Sequence, residues 1–97
     1  MAYAASKGAI HSMTKTLART AAPYSITVNT VAPGLTGTEL LRSAHTRAEI
    51  DSIASTIPLG IGMPQDVGTA VAYLASDAAR HVTGITLDVN GGQTIRE

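Results

Sequence analysis

No cysteine occurs in the 97 residues. That excludes disulfides, thiolate metal sites and cysteine nucleophiles. It also suits a reducing compartment, so a cytoplasmic location is the expectation. Tryptophan and phenylalanine are missing too, and the 3% aromatic content is tyrosine alone, so platforms on which unpaired bases stack are lacking. Neither sign of charge prevails: seven basic and seven acidic residues cancel, with no run of either. This argues against a nucleic-acid or anionic-membrane partner. No apolar run nears the roughly 20 residues of a membrane span, and the first residues show no basic-then-apolar signal pattern. The three histidines, His11, His45 and His81, are scattered without metal-ligand spacing, so no metal is expected. A chain of this length buries only about 60–65% of the surface its unfolded form exposes, which makes its stability modest.

What is present is periodic. Ile10, Met13, Leu17 and Ala21 recur at three- and four-residue steps through "YAASKGAIHSMTKTLARTAA", which predicts a helix. Pro23 stops it. The β-branched run "SITVNTVAPG" predicts a strand over 25–34, apolar enough to be covered on both faces. Residues 35–46 read as an irregular loop with one helical turn. Ile50, Ile53, Ala54 and Ile57 mark a short helix ended by Pro58. "MPQDVGTAVAYLASDAA" predicts another, with Pro64 at its first position, Asp66 at its positive end, and Val67, Ala70, Val71 and Leu74 turned inward. Gly84 precedes a last strand, "ITLDVNGG", whose Gly91-Gly92 pair marks a turn. Two strands joined through a long helical connection form a parallel pair with crossover helices. A sheet of two such apolar strands is marginal by itself, so the pattern is that of part of a larger doubly wound parallel sheet.

The chemistry-bearing feature is Tyr3-Ala4-Ala5-Ser6-Lys7. Residues four apart share a helical face, with β-carbons about 5–6 Å apart. A phenol in water holds its proton until about pH 10. Bringing it to neutrality takes about 4 kcal/mol of preferential stabilisation of the phenolate. One cation about 4 Å away, at an effective dielectric of about 20, supplies that much, and the positive end of the helix adds a smaller contribution of the same sign. Such a pair can donate or accept a proton at a substrate oxygen. By spacing alone, Tyr-x-x-x-Lys is also an ordinary solvated helical face. Ser6 beside Lys7 or His11 suggests a hydrolase, but no Gly-x-Ser-x-Gly elbow surrounds any serine. Gly60-Ile61-Gly62 lacks the setting of a phosphate loop and reads as a turn.

The segments "YAASKGAI", "ITVNTVAPG" and "PQDVGTAVAYLASDAARHVTGITLDVNGG" together, in that order and separation, resemble the C-terminal part of short-chain dehydrogenases/reductases. The resemblance covers nearly the whole chain and includes an overall similarity to members of the 3-oxoacyl carrier-protein reductase kind. It implies an α/β fold, the C-terminal portion of a Rossmann-like doubly wound parallel sheet. It further implies hydride transfer between NAD or NADP and a small-molecule carbonyl or alcohol. By that resemblance Tyr3 is the general acid/base, and Lys7 both lowers its proton affinity and holds the nicotinamide ribose. Pro33, Gly34 and the backbone of Leu35 border the nicotinamide, and Thr38 touches the cofactor. Asn29 matches a structural position beside the strand end. Asp88, read from its place on the last strand alone, invites a catalytic role, but a structural or interface role suits it better. Residues from Glu39 to about Ile57 form a flap over the substrate. The tyrosine-bearing helix and the last helix and strand build a subunit interface, so a homo-oligomer is implied.

The departures are specific. The family's Gly-x-x-x-Gly-x-Gly phosphate turn is not found among the nine glycines, and only two residues precede Tyr3, where the family places an active-site serine and asparagine further upstream. Residues 1–97 are therefore expected to be the C-terminal part of one NAD(P)-binding domain without its dinucleotide-binding half. The alternative expectation is a non-catalytic fragment or interaction module, inactive alone. Nothing in these residues chooses between NAD and NADP or names the substrate.

Overall fold

The computed structural model describes residues 2–95, with backbone alone at residues 2–4 and at Leu40. In chain order its elements are α1 (Ala2–Ala21), β1 (Thr30–Pro33), α2 (Glu39–Ala44), α3 (Arg47–Ala54), α4 (Pro64–Leu74) and β2 (Thr86–Val89). Single 3-10 turns occupy Ala22–Tyr24 and Asp77–Ala79. The strands pair as a two-stranded sheet. Thr30 N–H donates to Ile85 O at 2.9 Å and Gly34 N–H to Val89 O at 2.9 Å. Equal steps in the same direction on both strands make the pair parallel, as the crossover pattern predicts. The chain divides into two units, Met1–Val31 with Ala70–Leu87 and Ala32–Thr69 with Asp88–Glu97.

In the first unit, alanines and straight side chains carry α1 for 20 residues. Pro23 then tightens the chain into a 3-10 turn, closed by Ser25 in the left-handed conformation at φ 59°. The inner face of α1 is not its most apolar stripe. Ile10, Met13 and Leu17 are exposed, whereas Thr14 and Ala18 are buried and His11 and Ala21 half-buried. The seam is set by hydroxyls as much as by methyls. Thr14 donates to Ile10 O at 2.8 Å, so its oxygen is left to accept from the hydroxyl of Thr30. His11 Nδ1 meets Thr86 Oγ1 at 2.7 Å. Helix α1 thus lies on both strands through a threonine at each.

The first strand is shorter than the β-branched run predicts. Residues 28 and 29 are tied to the 82–85 segment mostly by side chains, beside one backbone bond from Gly84 N–H to Val28 O at 2.8 Å. Val28 N–H donates to Thr83 Oγ1 at 3.0 Å, and Asn29 Nδ2 donates to Val82 O at 3.0 Å while its Oδ1 accepts from Ile85 N–H at 3.2 Å.

In the second unit, Ile57 is buried, and the loop after β1 runs beside Gly62. Gly62 N–H donates to Leu35 O at 3.2 Å, and Gly37 N–H donates to Gly62 O at 2.6 Å. This single parallel bridge is centred on Thr36. Helix α4 begins with Pro64, and Asp66 Oδ2 accepts from Met63 N–H at 2.8 Å, as those two residues predict. It ends earlier than its alanines suggest: Ser76 turns extended (φ −91°, ψ 163°) and donates its hydroxyl to Tyr73 O. Val71, expected inside, is exposed. No described helix is long and apolar enough to cross a membrane.

Candidate functional site

The expected site residues fall in both units. Tyr3 and Lys7 belong to the first. The helical backbone is continuous from Ala2, so positions 3 and 7 lie one turn apart on a common face. Lys7 is exposed. The phenol of Tyr3 lies outside the described residues' side chains, and with it the phenol–ammonium geometry. The first turn of α1 contains no acidic residue, so the partial positive charge of its unpaired N–H groups is not answered from within the turn.

Pro33, Gly34, Leu35 and Thr38 belong to the second unit, where β1 opens into the loop. Gly34 is a glycine by necessity of space. A Cβ there would stand 2.5 Å from Asn90 Cβ and 2.8 Å from Asn90 Cα. Leu35 N–H is engaged by Gln93 Oε1 at 3.2 Å. Thr38 caps α2, its Oγ1 accepting from Leu41 N–H at 3.2 Å, which leaves the hydroxyl hydrogen to donate elsewhere.

Two side chains that the sequence analysis passed over hold this wall. Asn90 Oδ1 accepts from Gly92 N–H at 3.0 Å, and Asn90 Nδ2 donates to Thr94 O at 2.8 Å. Gly91, at φ +62°, lets its carbonyl accept from Leu59 N–H at 2.9 Å, where a Cβ would crowd Gly60 O at 3.1 Å. The Asn-Gly-Gly turn signal was visible; its partner Gln93 carries no local signature.

Residues 35–46, expected as a loop with one helical turn, contain the six-residue α2, and the short helix expected around Ile50 and Ile53 is α3, which starts at Arg47 and ends at Ala54. Each is started by a threonine. Thr46 and Glu49 make a reciprocal capping box: Glu49 N–H donates to Thr46 Oγ1 at 3.2 Å and Thr46 N–H to Glu49 Oε1 at 3.0 Å. The bond from the Thr46 backbone, then that from its side chain, holds the Glu49 carboxyl below its ordinary range, and His45 adds a smaller pull in the same direction. The Thr-x-x-Glu spacing was the available signal. Among the described residues no group of three metal-ligating side chains occurs.

A parallel strand pair joined by helical crossovers, with a Pro-Gly wall after the first strand, defines the chain as an α/β piece of a Rossmann-like sheet. A family model described as enoyl-(acyl carrier protein) reductase matches residues 1–94. The chain is 47% identical over 91 residues to a 3-oxoacyl-(acyl-carrier-protein) reductase of Rickettsia conorii, covering 93% of this chain and 37% of that protein. It is also 47% identical to a 3alpha-hydroxysteroid dehydrogenase of Mediterraneibacter gnavus (92% of this chain, 36% of that one) and 41% identical to an acetoacetyl-CoA reductase of Rhizobium meliloti (94% and 38%). The chain belongs to the short-chain dehydrogenase/reductase family. It spans a little over a third of the length of these curated relatives, 37% of the first.

Proposed function

We propose that the chain supplies the acid/base pair and one wall of the nicotinamide pocket of an NAD(P)-dependent oxidoreductase acting on a small carbonyl or alcohol. The observation that carries this is the family model's match to residues 1–94, the span that includes Tyr3, Lys7 and Pro33-Gly34, together with the 47% identity over 91 residues to a 3-oxoacyl-(acyl-carrier-protein) reductase. In reduction, Tyr3 gives its proton to the substrate oxygen as the carbonyl carbon is reduced; in oxidation it takes the proton back. Lys7, one helical turn on, stabilises the phenolate left behind.

The wall fits the nicotinamide end of the cofactor. Gly34 keeps side-chain bulk out of a backbone already pressed on Asn90, and the Thr38 hydroxyl still has a hydrogen to donate. When bound, the nicotinamide supplies or receives the hydride. The phosphate-binding turn of the family's pattern has no counterpart in these residues, so the chain by itself binds NAD or NADP very weakly and turns nothing over. The exposed Ile10, Met13 and Leu17 favour this second element of the reading: they suit a helix covered by another subunit or segment in a homo-oligomeric cytoplasmic enzyme.

A chimera tests both. The 97 residues replace the matching segment of the Rickettsia conorii reductase, and nicotinamide absorbance follows turnover of a 3-oxoacyl thioester. The chimera should reduce it, and Tyr3→Phe should lower kcat/KM by about a hundred- to ten-thousand-fold while leaving cofactor binding in place. Turnover undiminished by Tyr3→Phe would refute the assigned role. Turnover by the 97 residues alone would refute their dependence on a partner.

A further inference from the structure

Helices α2 and α3 and the residues at 61–63 surround a cavity of about 530 Å³, all within the second unit. The size is that of a small-molecule site. Leu41, Ile50, Ile61 and Met63 give it an aliphatic lining, and Arg42 and Arg47 give it a charged rim.

Arg42 lies across the loop backbone, its Nη2 3.5 Å from where a Cβ on Gly37 would stand and 4.0 Å from Met63 Sδ. A thioether is a weak acceptor and occupies little of a guanidinium with five donors. Asp51, also on the rim, sits one turn after Arg47 on α3 and answers part of one positive charge. His45 donates Nδ1–H to Leu41 O at 3.1 Å, which fixes its ring and turns no acceptor of that edge toward a ligand. The rim is therefore net positive over an apolar floor.

The geometry points to a binding site for an aliphatic ligand ending in a carboxylate or phosphate, with its alkyl part on Leu41, Ile50 and Ile61 and its anion between Arg42 and Arg47. A guanidinium meets either anion with paired N–H donors, while a neutral ligand of the same shape gains only the apolar contact. As the substrate class of the oxidoreductase this rests on the reading above; the binding itself does not.

Titration of the chain with octanoate and with octyl phosphate, and with octanol as the neutral control, tests it through the amide resonances of Gly37 and Ile61. Both anions should shift these amides and bind about tenfold or more tighter than octanol. Arg42→Gln and Arg47→Gln should each weaken the anions by about tenfold and leave octanol unchanged. Arg42→Lys should keep part of the preference, and Asp51→Asn should strengthen it by about threefold. Circular dichroism spectra matching the parent establish that each variant is folded. Octanol binding as tightly as octanoate, or anion binding unaltered in both glutamine variants, would overturn the proposal. Because the readout is binding, the outcome is independent of whether Tyr3→Phe abolishes turnover in the chimera.

Discussion

A methyl group on Gly34 has nowhere to go. It would stand 2.5 Å from Asn90 Cβ and 2.8 Å from the backbone Cα behind it, and backbone does not swing aside as a long side chain does. Gly34→Ala should therefore destabilise the chain by about 1–3 kcal/mol, read as a lower urea midpoint with unchanged slope. Gln93 was illegible beforehand because its work is long-range: it reaches a loop amide 58 positions away, and no local pattern encodes that. Asn29 was readable as structural from its place beside the strand, and its two bonds to the 82–85 segment explain why an amide stands there. Pro33, Gly34, Leu35 and Thr38 are proposed as cofactor contacts on family likeness alone. Their composition pointed only to a turn, and the capping bond made by Thr38 belongs to α2.

Among the elements, α3 depends most on its first residue. Thr46→Ala removes the cap and should cost about 1 kcal/mol, seen as loss of helicity in the 47–54 region by amide exchange. The same box makes the helix pH-dependent. Glu49 has its carboxyl held below the ordinary range by Thr46, so its stabilisation is present above the unfolded carboxylate range, about pH 4.3, and is lost as pH falls through the lower folded value. Carboxyl resonances followed through an acid titration should show Glu49 titrating below a free glutamate in the parent and moving up toward it in Thr46→Ala. Periodicity located α1, and Pro23 its end, but it does not say which stripe turns toward the chain's own interior. Here Thr14 and Ala18 do so, because hydroxyl bonding to Thr30 and close approach suit small residues, and Ile10, Met13 and Leu17 are left outside. The first strand was over-extended for a related reason: Val28 looks β-like but satisfies its backbone through the Thr83 hydroxyl and Gly84 N–H, and Asn29 reaches the same segment with its side chain.

At the scale of the whole molecule, the buried apolar set among the described residues is small side chains and one isoleucine: Ala18, Ala79 and Ile57. The apolar surface left in water on α1 is larger than that interior suggests. The chain should associate through it as concentration rises. Leu17, about half exposed at 48%, contributes about 1 kcal/mol to such a contact, so Leu17→Glu should weaken association by roughly fivefold or more in sedimentation equilibrium. Doubly wound architecture was legible from two apolar strands and a crossover, since that pattern has few other solutions.

The threonine contacts under α1 carry one more consequence. Oily packing tolerates a helix rolling a few degrees about its axis, because methyl groups are indifferent to direction. Hydroxyl and imidazole bonds are not, and Thr14 and His11 dock on two separate strands like pins in a keyway. Such pins lock the azimuth of every α-carbon from Ala2 onward, so the heading taken by the chain's opening turn is dictated two and three turns downstream. Replacing Thr14 by valine would keep the bulk and free the spindle.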